Sequence, residues 1–167
     1  MTLTYRPGSK QDPTFRHPDG THNVLVSDII QKGTPTQVYR GLTHPAALRD
    51  WTGDDAAETA DGVCWHLPEL GVSGTSIGEV EGEYVKVVLD TPAWPTTRSV
   101  ATVRLWPVPR ATLVMVSHRG LTADDLELSR ALWAPGLLNR LRFGFRRWLR
   151  TAVPSASWKP AAANERA

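Results

Sequence analysis

The sequence is poor in residues that form covalent or metal cross-links. It holds one cysteine, Cys64, among 167 residues, which excludes an internal disulfide and a cysteine-rich zinc site. The five histidines are scattered and include no His-x-x-x-His pair. The chain also lacks a Gly-x-Ser-x-Gly elbow and the glycine-rich loops that bind phosphates or dinucleotides. We therefore expect no metal site and no cofactor.

The sequence also lacks a large excess of charge of either sign and has no long apolar run. The net charge is +2, so no global field favours nucleic acid or a membrane surface. No apolar run approaches the roughly 20 residues that span a bilayer. The polar start, Met1–Pro7, lacks the apolar core of a signal peptide. These features predict a soluble, cytoplasmic protein with no nucleic-acid partner and no stable membrane insertion.

Tryptophan is abundant by contrast. The chain has seven tryptophans but only three phenylalanines and three tyrosines. An indole combines a large apolar surface with one hydrogen-bond donor, so it suits the core, pocket walls and interfaces.

Six β-rich runs bounded by turn residues predict the strands of one sheet. They are Asn23–Ile30, Gly62–Leu67, Val72–Glu81, Tyr84–Asp90, Ser99–Trp106 and Thr112–His118. Two short helices follow the first run: one begins at Thr34-Pro35 and one covers Pro45–Trp51. Short connections between successive strands indicate an antiparallel sheet with one buried face.

A long amphipathic helix pattern follows the last strand. It begins at the capping box Thr122–Asp125 and is interrupted at Pro135-Gly136, where we expect a kink or break. Arginines between Arg140 and Arg150 are interpreted as a solvated helix face. The chain therefore divides into an irregular arm (1–22), one domain (23–152) and a flexible tail (153–167).

Three local patterns carry a family resemblance. They are the helix Pro45–Trp51 that ends in tryptophan, the strand Thr112–Leu121 that closes on His-x-Gly-Leu, and Trp133 early in the last helix. Their order resembles the START-like (SRPBCC, Bet v-like) superfamily. Within it they most resemble the branch named for activators of the heat-shock-protein-90 ATPase, and polyketide cyclase-like proteins are related.

The resemblance implies an α+β helix-grip fold. In it a curved antiparallel sheet of six to seven strands wraps around a long C-terminal helix, with two short helices after the first strand. It also implies a hydrophobic cavity between sheet and helix. Superfamily members include lipid and polyketide binders, cyclases, dehydratases and co-chaperone domains, so the fold does not choose among these functions.

His118 is the first candidate for chemistry. Alternation along its strand places Val114, Val116 and His118 on one face, and the resemblance directs that face inward. One interpretation is a general acid/base, since an unperturbed imidazole titrates near neutrality. The other is a structural, hydrogen-bonded histidine that ties the strand to the helix cap.

Glu79 is the second candidate. It shares a strand face with Ile77, and the size of Ile77 predicts that this face is buried. A carboxylate in an apolar cavity acts as an acid or base. The alternative is that Glu79, Glu81 and Glu83 form a solvated acidic rim.

We predict a cavity that binds a hydrophobic, cyclic or aromatic small molecule. If the protein is an enzyme, His118 and Glu79 would move protons in a cofactor-free cyclisation or dehydration of a polyketide-type substrate. One alternative is a protein-binding module that resembles co-chaperone domains and uses Leu113 and Met115 on the outer face. The other is a ligand-sequestering homodimer without chemistry. The predicted lining residues are Trp65, Ile77, Val85, Val87, Val103, Val116 and Trp133, with Trp94 on a gating loop.

Overall fold

The computed structural model describes residues 14–52, 57–60 and 62–151, and within them eight strands form one antiparallel sheet. The spatial order is β1-β2-β8-β7-β6-β5-β4-β3. Six strands are long and correspond to the six predicted runs, while β1 and β3 are short edge strands. The bounds are β1 Thr14–Arg16, β2 His22–Gln31, β3 Ala57–Thr59, β4 Gly62–Leu67, β5 Val72–Val80, β6 Tyr84–Asp90, β7 Arg98–Val108 and β8 Ala111–Leu121.

The short strand β1 lies within the segment predicted to be irregular. Thr14–Arg16 pairs with the first residues of β2, so the prediction of an irregular arm is wrong for these three residues. Three residues are too few to show a period in the sequence, and the free edge of β2 supplies their hydrogen bonds. Residues 1–13 and the predicted tail 153–167 lie outside the described residues.

Two helices connect β2 to β3, as predicted. The first, α1 (Pro35–Thr43), begins at a reciprocal capping box: Gln37 N donates to Thr34 Oγ1 and Thr34 N donates to Gln37 Oε1. Proline fits the first helical position because its missing N–H has no partner there in any case. The second helix, α2 (Pro45–Thr52), packs against the C-terminal helix.

The C-terminal helical segment is interrupted as predicted. It consists of a 3₁₀ turn (Ala123–Asp125), α3 (Leu126–Ala131), a wide π-helical turn (Leu132–Leu137) and α4 (Leu138–Thr151). Ala134 adopts φ −135° and ψ 105°, outside the helical region, because a residue before proline avoids the α conformation. The kink lies within the wide turn, which packs against the sheet, and α4 continues beyond it.

The core lies between the inner face of the curved sheet and these helices, which is the α+β helix-grip arrangement. Leucines of the wide turn and α4 pack against valines of the central strands. Among the described residues, the helices include none that is both long and apolar enough to cross a membrane. The buried core includes Val38, Leu48, Val85, Val103, Val114, Val116, Leu132, Leu137, Leu138 and Leu141.

Two arginines of α4 form ion pairs with acidic residues near opposite edges of the sheet. Arg140 pairs with Glu69 in the β4–β5 connection, and Arg142 pairs with Asp28 on β2. The prediction of a solvated arginine face is therefore incomplete, because these two arginines also form ion pairs that join α4 to the rest of the domain.

Candidate ligand-binding site

The last strand presents the predicted face to the core. Val114, Val116 and His118 of β8 are fully buried, whereas Leu113 and Met115 on the opposite face are partly exposed. The alternation in the sequence thus gives the orientation of β8 correctly. It places a histidine on the inner face, opposite Ala101 of β7.

Both ring nitrogens of His118 have partners. Nε2 lies 2.7 Å from Oγ of Ser99 on β7, and Nδ1 lies 2.7 Å from Oγ of Ser129 on α3. The indole Nε1–H of Trp133, in the wide helical turn, donates to the same Nδ1 over 3.1 Å. His118 therefore joins two strands to the helical segment, and its network is wholly buried.

The partners of His118 determine its tautomer. An indole nitrogen can only donate, so Nδ1 must carry the lone pair that accepts from Trp133. The proton of the neutral ring then lies on Nε2, which donates to Ser99. Ser99 consequently faces an N–H rather than a base, and the pair does not form an activated nucleophile.

Burial also keeps His118 uncharged. Desolvation lowers the pKa of His118 to about 4, against a smaller opposing effect of the Asp125 carboxylate. Protonation would moreover place a second N–H against the indole N–H of Trp133. At neutral pH the ring is a neutral, hydrogen-bonded part of the core, and of its two interpretations the geometry favours the structural one.

Asp125 organises the same end of the domain. It is fully buried and accepts four hydrogen bonds: Thr122 donates from N (2.8 Å) and Oγ1 (2.7 Å), and Thr96 donates from N (3.0 Å) and Oγ1. Burial opposes ionisation, but these bonds hold the pKa of Asp125 below its ordinary value. The sequence indicates its capping role, but not its contact with Thr96, since the two residues are 29 positions apart.

The loop Thr91–Thr97 closes over His118. Thr91 donates its hydroxyl to the carbonyl of Thr96 over 2.7 Å, and Asp125 anchors the loop from the helical side. Trp94 is partly buried, and its ring centroid lies 6.3 Å from that of His118. The loop therefore forms the cover of this end of the core.

Ile77 does not line the core, contrary to the prediction. Its side chain is 51% exposed, because the opposite face of β5 is the inner one: Val72 and Gly74 are buried, and Ser76 lies opposite the buried Val87. The register shift between Ser76 and Gly78 changes the alternation only beyond this point, so Glu79 does not share a face with Ile77 and lies opposite Val85.

Glu79 is exposed rather than enclosed in apolar surroundings, and so are Glu81 and Glu83. It lies beside helix α1: burial and then the Glu79 carboxylate raise the pKa of Tyr39. Glu79 and His118 lie on β5 and β8, separated by β6 and β7, which is about 14 Å at the usual strand spacing. The structure does not bring the two predicted catalytic residues together.

The other predicted lining residues are on the inner face. Trp65 lies across Gly74, where an added Cβ would come within 2.2 Å of its indole. Trp133 packs edge-on against His118, with centroids 6.0 Å apart. The predicted lining residues that are buried are Trp65, Val85, Val87, Val103, Val116 and Trp133.

Comparison with solved structures supports the architecture. The chain is similar to protein MLL2253 from Mesorhizobium loti, with 19% identity, coverage of 75% of this chain and 97% of that one, and a TM-score of 0.60. It is also similar to an HSP90 activator from Plasmodium falciparum, with 14% identity, coverage of 72% and 94%, and a TM-score of 0.60. CalU16 from Micromonospora echinospora shares 16% identity, with coverage of 80% and 71% and a TM-score of 0.62.

At these identities the likeness shows the fold alone. No family model and no curated protein sequence matches the chain. The helix-grip fold is therefore established by structure, whereas membership of the START-like superfamily remains an inference from the resemblance.

Proposed function

We propose that this protein binds a hydrophobic, cyclic or aromatic small molecule between the inner face of its sheet and its C-terminal helices. One observation carries the proposal. The apolar core continues into four residues that pack against it and are only partly buried, namely Val26, Leu42, Val63 and Trp94. A continuous apolar interior with an apolar margin is suited to an apolar ligand.

The buried polar groups support binding rather than proton transfer. Ser99, Ser129 and Trp133 occupy both nitrogens of His118, and the low pKa keeps the ring neutral. A general base needs a free lone pair within reach of the substrate. Cofactor-free cyclisation or dehydration with His118 and Glu79 stays a prediction, which single substitutions test by turnover.

Native mass spectrometry of gently purified protein tests the binding function. We expect a retained small molecule that is released on denaturation, and a protein mass that is otherwise that of one chain. A protein that carries no ligand from any extract, and that takes up no neutral naphthalene probe, would contradict the proposal.

A second candidate function is protein binding through the outer face of the sheet. The register places Ile29, Leu113 and Trp106 in one row across β2, β8 and β7. Ile29 is 42% and Trp106 is 43% exposed, and Leu113 between them is partly exposed, so the row forms a contiguous apolar strip on the outer face. The similar fold of an HSP90 activator makes a chaperone ATPase the partner to test.

Substitution of Trp106 by glutamate tests this second candidate. If the row binds a chaperone, the wild-type chain stimulates the chaperone ATPase and Trp106→Glu does not. A chain that leaves the ATPase rate unchanged rejects this partner. A doubled mass that Trp106→Glu abolishes would instead identify a homodimer.

A further inference from the structure

Two ion pairs involve α4, Arg142–Asp28 and Arg140–Glu69, and they differ in where the acidic residue lies. Asp28 lies opposite Val114, which is fully buried, so the carboxylate is on the inner face of the sheet. Its side chain is 18% exposed, compared with 54% for Glu69 in the pair with Arg140. The Arg142 side chain is 36% exposed, so the acid of this pair is more desolvated than the base.

Arg142 reaches this place from the helix. It lies one turn after Leu138, a buried residue of α4, and therefore on the side that packs against the sheet. Its Nη2 donates to Oδ2 of Asp28. Its Nε is buried and has no hydrogen-bond partner among the described residues.

A buried donor without a partner is rare in folded proteins, because it loses its hydrogen bond to water and gains nothing in return. The Nε–H of Arg142 is thus available to an acceptor that the described residues do not supply. Val26 lies two residues before Asp28 on the same strand face, packs against the core and is partly exposed. The unpartnered donor is therefore close to an accessible margin of the apolar interior.

We propose that Arg142 determines ligand specificity: its Nε–H donates to a neutral oxygen acceptor, such as a carbonyl, on a ligand whose apolar body lies against the inner face. The proposal rests on the proposed binding function and names the class of its ligand. Asp28 already neutralises the guanidinium, and the carboxylate of Asp28, which is only 18% exposed, would repel a ligand carboxylate beside Arg142. The site consequently selects a neutral acceptor over an anion.

Three matched probes test the proposal: 2-acetylnaphthalene, 2-ethylnaphthalene and 2-naphthoate. They share one ring system and differ in a carbonyl, no acceptor, or a carboxylate. By fluorescence titration or calorimetry, we expect the ketone to bind about tenfold more tightly than the hydrocarbon, since its hydrogen bond is to a charged donor. This preference should vanish in Arg142→Met and persist in the control Arg140→Met.

A second variant gives an independent result. Asp28→Asn leaves the guanidinium without its counter-charge, so we expect 2-naphthoate to gain on the ketone by about tenfold or more. An unchanged preference in both Arg142→Met and Asp28→Asn would overturn the role of Arg142 while leaving the binding function intact, and so would a wild-type preference for 2-naphthoate. Failure of all three probes to bind wild type would count against the binding function itself.

Discussion

Trp133 donates its indole N–H to Nδ1 of His118 across 3.1 Å, and this one bond determines which ring nitrogen carries the proton. Because indole has no acceptor, the bond requires the Nε2–H tautomer. It also links the wide helical turn to the inner face of β8, so the tautomer and the packing of the C-terminal segment depend on each other.

The first prediction concerns the protonation of His118. In ¹H–¹⁵N long-range NMR spectra at pH 7 we expect the Nε2–H tautomer, and on acidification a midpoint near the pKa of about 4. A signal for Nδ1–H, or a midpoint near 6.5, would contradict the network.

The same shift has a consequence for stability. Because the folded pKa lies below the value of 6.5 for a free imidazole, the unfolded chain binds a proton first. The free energy of unfolding is therefore unaffected by protonation of this group above pH 6.5, and it decreases as the pH falls from 6.5 towards 4. The difference corresponds to about 3 kcal/mol of unfolding free energy. His118→Gln should remove this contribution, as measured by the difference between wild-type and variant denaturation curves.

The second prediction concerns Trp133. Trp133→Phe keeps an aromatic ring but removes the donor, so we expect a loss of about 1–2 kcal/mol in unfolding free energy. The pKa of His118 should rise, since no N–H then opposes protonation at Nδ1. Trp94→Phe is the control, because Trp94 contacts the imidazole by its ring. Equal effects of both substitutions on the pKa would show that the indole N–H is not responsible.

The third prediction concerns the carboxylate of Asp125. Asp125→Asn should destabilise the fold by about 3 kcal/mol, because a buried acceptor of four hydrogen bonds becomes a neutral amide. The pKa of this group is depressed, so its contribution exists above the unfolded value of 3.8 and is lost as the pH falls through the folded pKa.

Substitutions of two threonines test the two contacts of this carboxylate separately. Thr96→Val removes a bond to the loop, and Thr122→Val removes a bond to the helix cap. Hydrogen exchange should increase in residues 91–97 for Thr96→Val and at the start of α3 for Thr122→Val. Identical exchange patterns in the two variants would disprove the separate anchoring of the loop.

The fourth prediction compares two glycines on β5. At Gly74 a Cβ would lie 2.2 Å from the indole of Trp65, so Gly74→Ala should displace that ring and destabilise the fold by more than about 2 kcal/mol. At Gly78 the nearest atom, Cβ of Lys86, would be 4.0 Å away, so Gly78→Ala should be nearly neutral. Chemical denaturation measures both, and a tolerated Gly74→Ala would contradict the position of Trp65.

Local patterns predict much of this fold. Thr34-Pro35, the Thr122–Asp125 capping box and Pro135-Gly136 all act on neighbouring residues, and each has its predicted effect. The inward face of β8 follows in the same way from strict alternation. These features depend on backbone geometry within a few residues, which the sequence states directly.

The site is less predictable, because it depends on contacts between distant segments. Ile77 lies on the outer face of β5 in spite of its size, and no pattern in the strand predicts the register shift after Ser76. The contact of Asp125 with Thr96 and that of Arg142 with Asp28 join residues far apart in the chain. Only the folded structure shows that these charged side chains form contacts between segments instead of lying on a solvated surface.

The proposed binding function requires that the sheet and the C-terminal helices leave room for an apolar molecule. Ala101 is fully buried on the inner face, opposite His118 and Val87, and Ala101→Leu adds volume there. The most direct test is a fluorescence titration of wild type and Ala101→Leu with the neutral probe N-phenyl-1-naphthylamine, together with denaturation of both proteins. We expect saturable one-to-one binding by wild type, and loss of binding with unchanged stability in the variant. No saturable binding by wild type, together with destabilisation of the variant by the 1–3 kcal/mol typical of an overpacked core, would contradict it.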